Sequence, residues 1–348
     1  MDHLAIVILN YNGYSFLERF LPSVLAHAEG FPVYVADNAS TDQSVSLLRD
    51  RFPAVRLLQL SRNHGYAGGY NAALRQIPAQ YYVLLNSDVE VTPGWIRPVL
   101  ALMEADSRIA ACQPKIRAYD HRTHFEYAGA AGGYIDWLGY AFCRGRLFDT
   151  LEEDRGQYDD DRPVFWATGA CLFVRAGVFH EAGGFDASFF AHMEEIDWCW
   201  RVQRLGYQIW TCGRSVVYHV GGGTLPKTNP QKTYLNYRNS LLMLYKNLPP
   251  ERLFGTLLLR LVLDGISSAV FLRAGQWRDI GAILRAHFAF YGRLGALRPV
   301  RNQLLRQAGA VTHLPVYTRS IVWDYFVNGC KTFCQLAWQN KEPQQQNQ

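Results

Sequence analysis

The segment Tyr81-Tyr82-Val83-Leu84-Leu85-Asn86-Ser87-Asp88-Val89 opens with five consecutive apolar or aromatic side chains and no alternation. That is the pattern of a strand buried on both faces. The run stops abruptly, so Asn86, Ser87 and Asp88 fall at its carboxyl end. In an open α/β sheet, ligands sit beyond the carboxyl ends of the strands. Oxygen-bearing side chains at Asn86 and Asp88 suit a hard divalent cation that also holds phosphate oxygens. Alone, the same triplet would be an ordinary Asx-turn. Other parts of the chain favour the first reading.

Upstream, Leu4 to Leu9 is a buried-strand run stopped by Asn10-Tyr11-Asn12-Gly13. Residues 33–36 form a second run, delivering Asp37-Asn38-Ala39-Ser40-Thr41-Asp42, and residues 55–60 a third. Helical patterns fill 15–27 and 45–51 between them. This alternation predicts an α/β fold with a mostly parallel central sheet and helices on both faces. Asp37 reads either as a cap for the helix near Ser44 or as a strand-end acceptor for a pyrimidine N–H. In Asn63-His64-Gly65-Tyr66-Ala67-Gly68-Gly69-Tyr70-Asn71 the glycines would let backbone approach a ligand before a helix opens. This is not the dinucleotide signature G-x-G-x-x-G and it follows the third strand, which argues against a dehydrogenase.

Downstream, residues 117–163 look less regular and are expected to be an insertion or flap over the acceptor side, with the acidic runs at 152–154 and 159–161 as solvated loop. Val164 to Val174 regains strand character around the bend Thr168-Gly169. A helix is expected to start near Glu194, because Glu194, Glu195 and Asp197 favour a first turn. Three packed carboxylates also raise at least one pKa toward the working range of a general base. Asp197 and Arg201 are spaced to pair at i, i+4. Val216 to His219 is a short strand. The stretch from Gly221 to Pro230 reads as a mobile lid, with Lys227, Lys232 and Arg238 as candidate phosphate contacts.

These segments, in this order, resemble the family 2 glycosyltransferases and, within them, the rhamnosyltransferase-type branch, over about residues 3–240. The resemblance implies a GT-A fold, of Rossmann-like type, and inversion at the anomeric carbon. It implies a UDP- or dTDP-linked sugar donor and a divalent metal, Mg2+ or Mn2+. Carried over residue by residue, Asp88 and His219 bind the metal. Glu195 is the base, with Asp197 as runner-up and Glu194 beside them. Asn10, Asn12, Asp37, Asn38, Asn63, Gly65, Tyr66, Gly68, Asn71, Asn86 and Ser87 surround the donor. Trp166, Thr168 and Gly169 border the acceptor, a saccharide expected on a polyprenyl diphosphate. Glu195 stands where relatives more often carry Asp, one methylene shorter. Two rivals are a nucleotidyltransferase making sugar nucleotides, which usually has a basic glycine-rich loop where this chain has Asn10-Tyr11-Asn12-Gly13, and a non-catalytic membrane-assembly subunit of the same fold.

The net charge of +5 hides an asymmetry: from Asn236 onward there are 14 Lys/Arg against 5 Asp/Glu. Helical patterns at 234–248, 251–274 and 277–291 carry this charge, accompanied by Arg273, Arg278, Arg285, Arg293, Arg298 and Arg301. The expected division is a catalytic domain at 1–232, a basic amphipathic helical extension at 233–340 and a disordered polar tail at 341–348. The extension is expected on the cytoplasmic leaflet of the cell membrane, as a peripheral protein. Trp323, Tyr325, Phe326, Phe333 and Trp338 are candidates for a second interfacial anchor. Residues 253–264 look too charged to span a bilayer, no signal peptide is expected, and no nucleic-acid partner is expected. Seven cysteines without a C-x-x-C pair predict reduced thiols.

Overall fold

The structure is a computed structural model that describes residues 1–221, 229–307 and 314–338. The chain opens with β1 (Asp2–Asn10), α1 (Tyr14–Ala26), β2 (Val33–Asp37), α2 (Ser44–Arg51), β3 (Arg56–Gln59), α3 (Gly65–Leu74) and β4 (Ala79–Asn86). β1 pairs in parallel with both β2 and β4, and β2 with β3. Alternate residues of β1 enter different cores: Ala5 and Val7 face one, Leu4, Ile6 and Ile8 the other. Each central strand is therefore apolar throughout, as expected from Tyr81–Leu85.

Next come β5 (Val89–Val91), α4 (Ile96–Ala105) and β6 (Ile109–Ala118). Residues 117–163 hold β7 (Gly133–Asp136), β8 (Ala141–Cys143), β9 (Arg146–Leu147) and β10 (Thr150–Leu151). Beyond them lie β11 (Arg162–Val164), β12 (Cys171–Arg175), α5 (Ala176–Glu181), α6 (Glu194–Arg204) and β13 (Gln208–His219). The main sheet runs β11-β13-β6-β12-β4-β1-β2-β3, with β5 on β13. β12 enters antiparallel between β4 and β6, so the sheet is mixed beyond β4.

The C-terminal part is α7 (Pro230–Asn247), α8 (Pro250–Arg273), α9 (Trp277–Tyr291), α10 (Leu294–Gln307), β14 (Val316–Tyr317) and α11 (Ile321–Phe326). Leu241 to Leu244 of α7 share a core with Leu84 and Leu172 of the central sheet. The helical extension is thus continuous with the body of the protein.

Four expectations change. Residues 117–163 are not irregular: they build a second sheet, β10-β9-β8-β7-β14, completed by a strand from the C-terminal region. The acidic runs are ion-paired instead of freely solvated. Asp154 meets the buried Lys115 at 3.0 Å and Arg117 at 3.3 Å, Asp160 pairs with Arg144 and Arg162, and Asp161 meets Arg214 at 2.6 Å. Among the proposed anchor residues, Phe333 and Trp338 stack on Tyr134 and Phe142 of the second sheet and Tyr325 is buried, leaving Trp323 and Phe326 exposed. Finally, α8 is by length and composition apolar enough to cross a membrane, and Arg260 and Asp264, which made residues 253–264 look too charged, are buried against the protein. Arg301 also points inward and donates to the Tyr245 carbonyl. All seven cysteines are free.

A buried ion network joins α6 to α7. Asp197, fully buried, accepts from Arg201 Nε, Lys246 Nζ and Asn247 Nδ2, each at 2.9 Å. Lys246 also reaches Asp186 at 2.7 Å, and although burial alone would raise that carboxyl, the ammonium holds it down at about 2. Removing one member of such a set leaves an uncompensated buried charge. Lys246→Met is therefore expected to lower unfolding stability by about 3 kcal/mol or more, measured by urea denaturation at pH 7.

Candidate active site

Strand register assembles the site. In the parallel pairs, Asn10 lies opposite Asp37 and Leu9 opposite Asn86, so three strands end in polar residues at one level. The short return strand β5 pairs antiparallel with β13, setting Val89 opposite His219. That register brings His219 Nε2 to 3.1 Å from Asp88 Oδ1 and 3.4 Å from the Asn86 amide. On its other side, His219 Nδ1 is 3.1 Å from Glu126 Oε2. Burial would push the imidazole down, but Asp88 and Glu126 outweigh it and bring the pKa up to about 10. By the same attraction both carboxyls lie below their ordinary values despite burial.

Glu126 was missed in the sequence because it lies in the stretch read as a flap, 93 residues before His219. Its carboxylate is fixed by the Ala128 N–H at 2.6 Å. With Glu126 facing Nδ1, Nε2 is the nitrogen that points to Asp88, the arrangement in which a second carboxylate orients a metal-ligating imidazole.

The donor set fits a divalent cation. Adjacent ligand atoms about 2.1 Å from an octahedral ion stand about 3.0 Å apart, close to the 3.1 Å between Asp88 Oδ1 and His219 Nε2. Among the described residues no group of three or more His, Cys, Asp or Glu side chains is placed to hold a metal ion. A two-ligand site leaves positions for phosphate oxygens and water, as hard cations at phosphate sites require.

Several expected donor contacts turn out to be internal. Asp37 accepts from Asn10 Nδ2 at 3.1 Å and the Ser40 N–H at 3.0 Å, tying two strand ends together. Asn38 bonds Asn63 Oδ1, the Gly65 carbonyl and the His64 N–H. The first N–H groups of α3 are already spent, Gly65 on Asn63 Oδ1 and both Tyr66 and Ala67 on the Phe190 carbonyl. Gly65, at φ +69°, is obligatory because a Cβ there would strike Phe190. Gly65 therefore admits the protein's own chain at Phe190. Asn71 clamps Phe185 through both amide atoms, at 2.7 and 2.9 Å, and Gly68 packs on His64. Asn12, Asn63, Asn86 and Ser87 remain exposed or partly so.

On the proposed acceptor side, Trp166 is corrected to a packing residue. It is buried flat against Gly133, and its indole N–H goes to the Tyr134 carbonyl at 3.0 Å. Thr168 is also buried, its N–H on Gln113 and its hydroxyl accepting from Ala170. The Gly169 carbonyl accepts from Tyr66 OH at 2.7 Å, and the Ala170 carbonyl from the Asn86 N–H at 3.0 Å. Arg238, expected near phosphate, instead donates to the Ser188 and Phe189 carbonyls. Of the expected lid, residues 222–228, including Lys227, lie outside the described residues.

These contacts lead from Asn86 through Ala170 and Gly169 to Tyr66, whose hydroxyl burial, Tyr70, Glu194 and Glu195 together push well above its ordinary value. Tyr66 thus lies between the end of β4 and the charge of Glu194 and Glu195. Asp197, the second candidate, has its oxygens engaged by Arg201, Lys246 and Asn247. Burial raises Glu194 well above its usual range, with Glu195 adding to it, and burial brings Glu195 up to about 7. Among the described residues, Glu195 Oε2 and Glu194 Oε2 find no hydrogen-bond partner.

The pair is delivered by a strained turn. Phe190, His192 and Met193 have φ of 66°, 70° and 71°, a region unfavourable to L-residues with side chains. One amide holds it: Asn239 Nδ2 reaches the Phe189, Ala191 and His192 carbonyls at 3.0, 2.8 and 2.8 Å. Arg238 Nε fixes Asn239 Oδ1 at 2.8 Å, turning the NH2 toward the turn. A surface cavity of about 520 Å³, lined by Lys115, Arg117, Asp154 and Arg214, contains none of these residues.

Comparison with known proteins gives the family and the fold. Residues 5–182 match the model described as glycosyl transferase family 2. The chain belongs to that family. This glycosyltransferase is 30% identical over 243 residues to an N-acetylglucosaminyl-diphospho-decaprenol L-rhamnosyltransferase of Mycobacterium tuberculosis, covering 64% of this chain and 78% of that protein. It is 25% identical over 251 residues to the low-salt glycan biosynthesis hexosyltransferase Agl10 of Haloferax volcanii, covering 70% and 75%. Among solved structures, S. aureus TarS 1–349 in complex with UDP-GlcNAc superposes with a TM-score of 0.53 at 16% identity, covering 88% of each chain. GalNAc-T7 with UDP, GalNAc and Mn2+ gives 0.53 at 16% identity, covering 71% of this chain and 48% of that one. These likenesses establish the GT-A type fold.

Two outcomes follow. A Glu195 pKa of about 7 makes the protonated acid the form favoured by folding, a contribution present in full below about pH 4 and lost as pH rises through about 7. Glu195→Gln should thus be inactive yet resist thermal unfolding better than the native chain at pH 8, with the difference gone at pH 4. Asn239→Ala should cut kcat about 100-fold, the cost of misplacing a reacting group by an ångström, and displace the acid limb of the kcat profile while leaving donor KM within about twofold.

Proposed function

We propose that this chain is an inverting, metal-dependent transferase. It moves a hexosyl or deoxyhexosyl group from a UDP- or dTDP-linked donor to a saccharide carried on a polyprenyl diphosphate. The setting is cell-surface polysaccharide assembly at the cytoplasmic face of the membrane, where the enzyme is peripheral. The observation that carries this reading is Glu195, whose Oε2 finds no hydrogen-bond partner among the described residues and whose carboxyl burial brings up to about 7, in a chain that also sets Asp88 against His219 at a strand end. The acceptor class is supported by the similarity to the mycobacterial rhamnosyltransferase, whose name specifies a diphospho-decaprenol substrate.

Asp88 and His219 Nε2 would hold Mg2+ or Mn2+, which when bound neutralises donor diphosphate charge. Asn12, Asn63, Asn86 and Ser87 provide polar edges for the nucleotide, with Asp37, Asn38 and Asn10 bracing them from behind. Glu195 accepts the acceptor hydroxyl proton at its free oxygen as that hydroxyl oxygen bonds to the anomeric carbon. The bond to the diphosphate oxygen breaks on the opposite face, so configuration inverts in one displacement. Glu194, kept neutral by burial, spares Glu195 the repulsion of a second charge. The nucleoside diphosphate leaves as a stable anion, so no second acid is needed, unlike glycoside hydrolysis.

Incubation with UDP- and dTDP-sugars and a polyprenyl-diphosphate-linked saccharide is expected to release nucleoside diphosphate and yield a heavier glycolipid by mass. Sugar nucleotide and pyrophosphate as products would mark a nucleotidyltransferase, and no donor consumption a non-catalytic subunit. Asp88→Ala should abolish both transfer and the Mn2+-dependent rise in Tm with donor, whereas Glu195→Gln should abolish transfer alone. Equal loss of the Tm shift in both variants would overturn these roles.

A further inference from the structure

Helix α8 is inside out. Its protein-facing stripe is polar: Thr256, Arg260 and Asp264, four residues apart, are buried. Arg260 donates to Ser240 Oγ at 2.9 Å and the Leu138 carbonyl at 3.3 Å and covers the Tyr140 ring. Asp264 meets His287 Nε2 of α9 at 3.0 Å, and Ser267 bonds Tyr237 of α7. The opposite face carries Phe254, Leu258, Leu261, Val262, Ile266 and Val270, all exposed, and only 17% of the most apolar 18-residue window is buried. A helix facing water shows the reverse polarity. Polar groups turned to the protein and apolar groups turned away are the arrangement that hydrocarbon selects.

Helix α9 continues the surface with Trp277, Leu284 and Phe288, the last 77% exposed. Because α7, α9 and the turn before β8 back α8 from Thr256 to Ser267, its length of about 36 Å lies along the protein. It therefore does not run through a bilayer as a separate span. The exposed charges of the hairpin are Arg252, Arg273, Arg278 and Arg285 against Glu251. A second copy docked on this face would set arginine against arginine across a two-fold axis, whereas anionic headgroups complement them.

We propose that the α8–α9 hairpin lies in the surface of an anionic phospholipid bilayer, the outer face of α8 immersed in the hydrocarbon and the arginines among the headgroups. This deepens the proposed peripheral location: apolar insertion, with basic charge as an accessory, holds the enzyme beside a lipid-linked acceptor. It rests on that reading for its purpose only, since lipid binding is measured without substrate and donor consumption without lipid.

The test floats the full chain with phosphatidylglycerol/phosphatidylcholine vesicles at low salt and at about 1 M NaCl, where screening acts within about 3 Å. The native chain should float at both, with Trp277 emission shifting to the blue. A Val262→Glu, Ile266→Glu double variant should lose at least about tenfold in bound fraction, with unchanged Tm and unchanged donor turnover on a water-soluble acceptor. The inference is overturned if the variant floats like the native chain, or if high salt releases the native chain completely. It is also overturned if the native chain is a dimer that the variant converts to monomers.

Discussion

A strand that is paired on both edges and buried on both faces can place a polar side chain only at its end. β4 is held in parallel by β1 and antiparallel by β12, and its interior is apolar from Tyr81 to Leu85. Asn86 and Asp88 are therefore expelled to the rim, at the level where Asn10 and Asp37 leave β1 and β2. The same obligation to pair backbone groups makes β5 return along β13, and that register alone brings His219 to Asp88. The site is a consequence of hydrogen-bonding the sheet correctly.

Buried charge in this family 2 glycosyltransferase is of two kinds. Asp197, Arg201, Lys246 and Asp186 satisfy one another and fix α6 against α7. Glu194 and Glu195, on the same helix, lack a cation and stay high in pKa. Desolvation without compensation is costly, and such cost concentrates where chemistry needs it. The turn feeding these residues is itself strained and is held by Asn239 and Arg238 on one side and by the Tyr66 and Ala67 amides on the other. Helix α3 and the C-terminal helical region thus meet at the turn that opens α6.

Local pattern made much of this legible. Apolar runs closed by polar residues located β1, β2 and β4 and their strand-end groups. The acidic first turn located α6, and helical periodicity placed α7, α8 and α9 within a few residues. Where prediction failed, the deciding contact was distant. The stretch 117–163 looked loose because its strands are two to four residues long and are completed by β14. The glycines of α3 looked like a ligand cradle because their occupant, Phe190, comes from a segment more than a hundred residues away. Trp166 looked available because nothing local marks a ring that packs on Gly133.

The sequence by itself determined the sheet order's raw material, the strand-end polar groups and the cluster of acids that opens α6, since each depends on neighbours within a turn or a strand. Tertiary structure alone decided which acids are paired: Lys246, 49 residues from Asp197, pairs with that carboxylate, whereas Glu195 Oε2 finds no hydrogen-bond partner among the described residues. It also decided that Glu126 backs His219 and that the charges of α8 face inward. The physical reason is that hydrophobic periodicity is a short-range property of the chain, whereas the pairing and desolvation of a buried charge depend on whatever the fold packs against it.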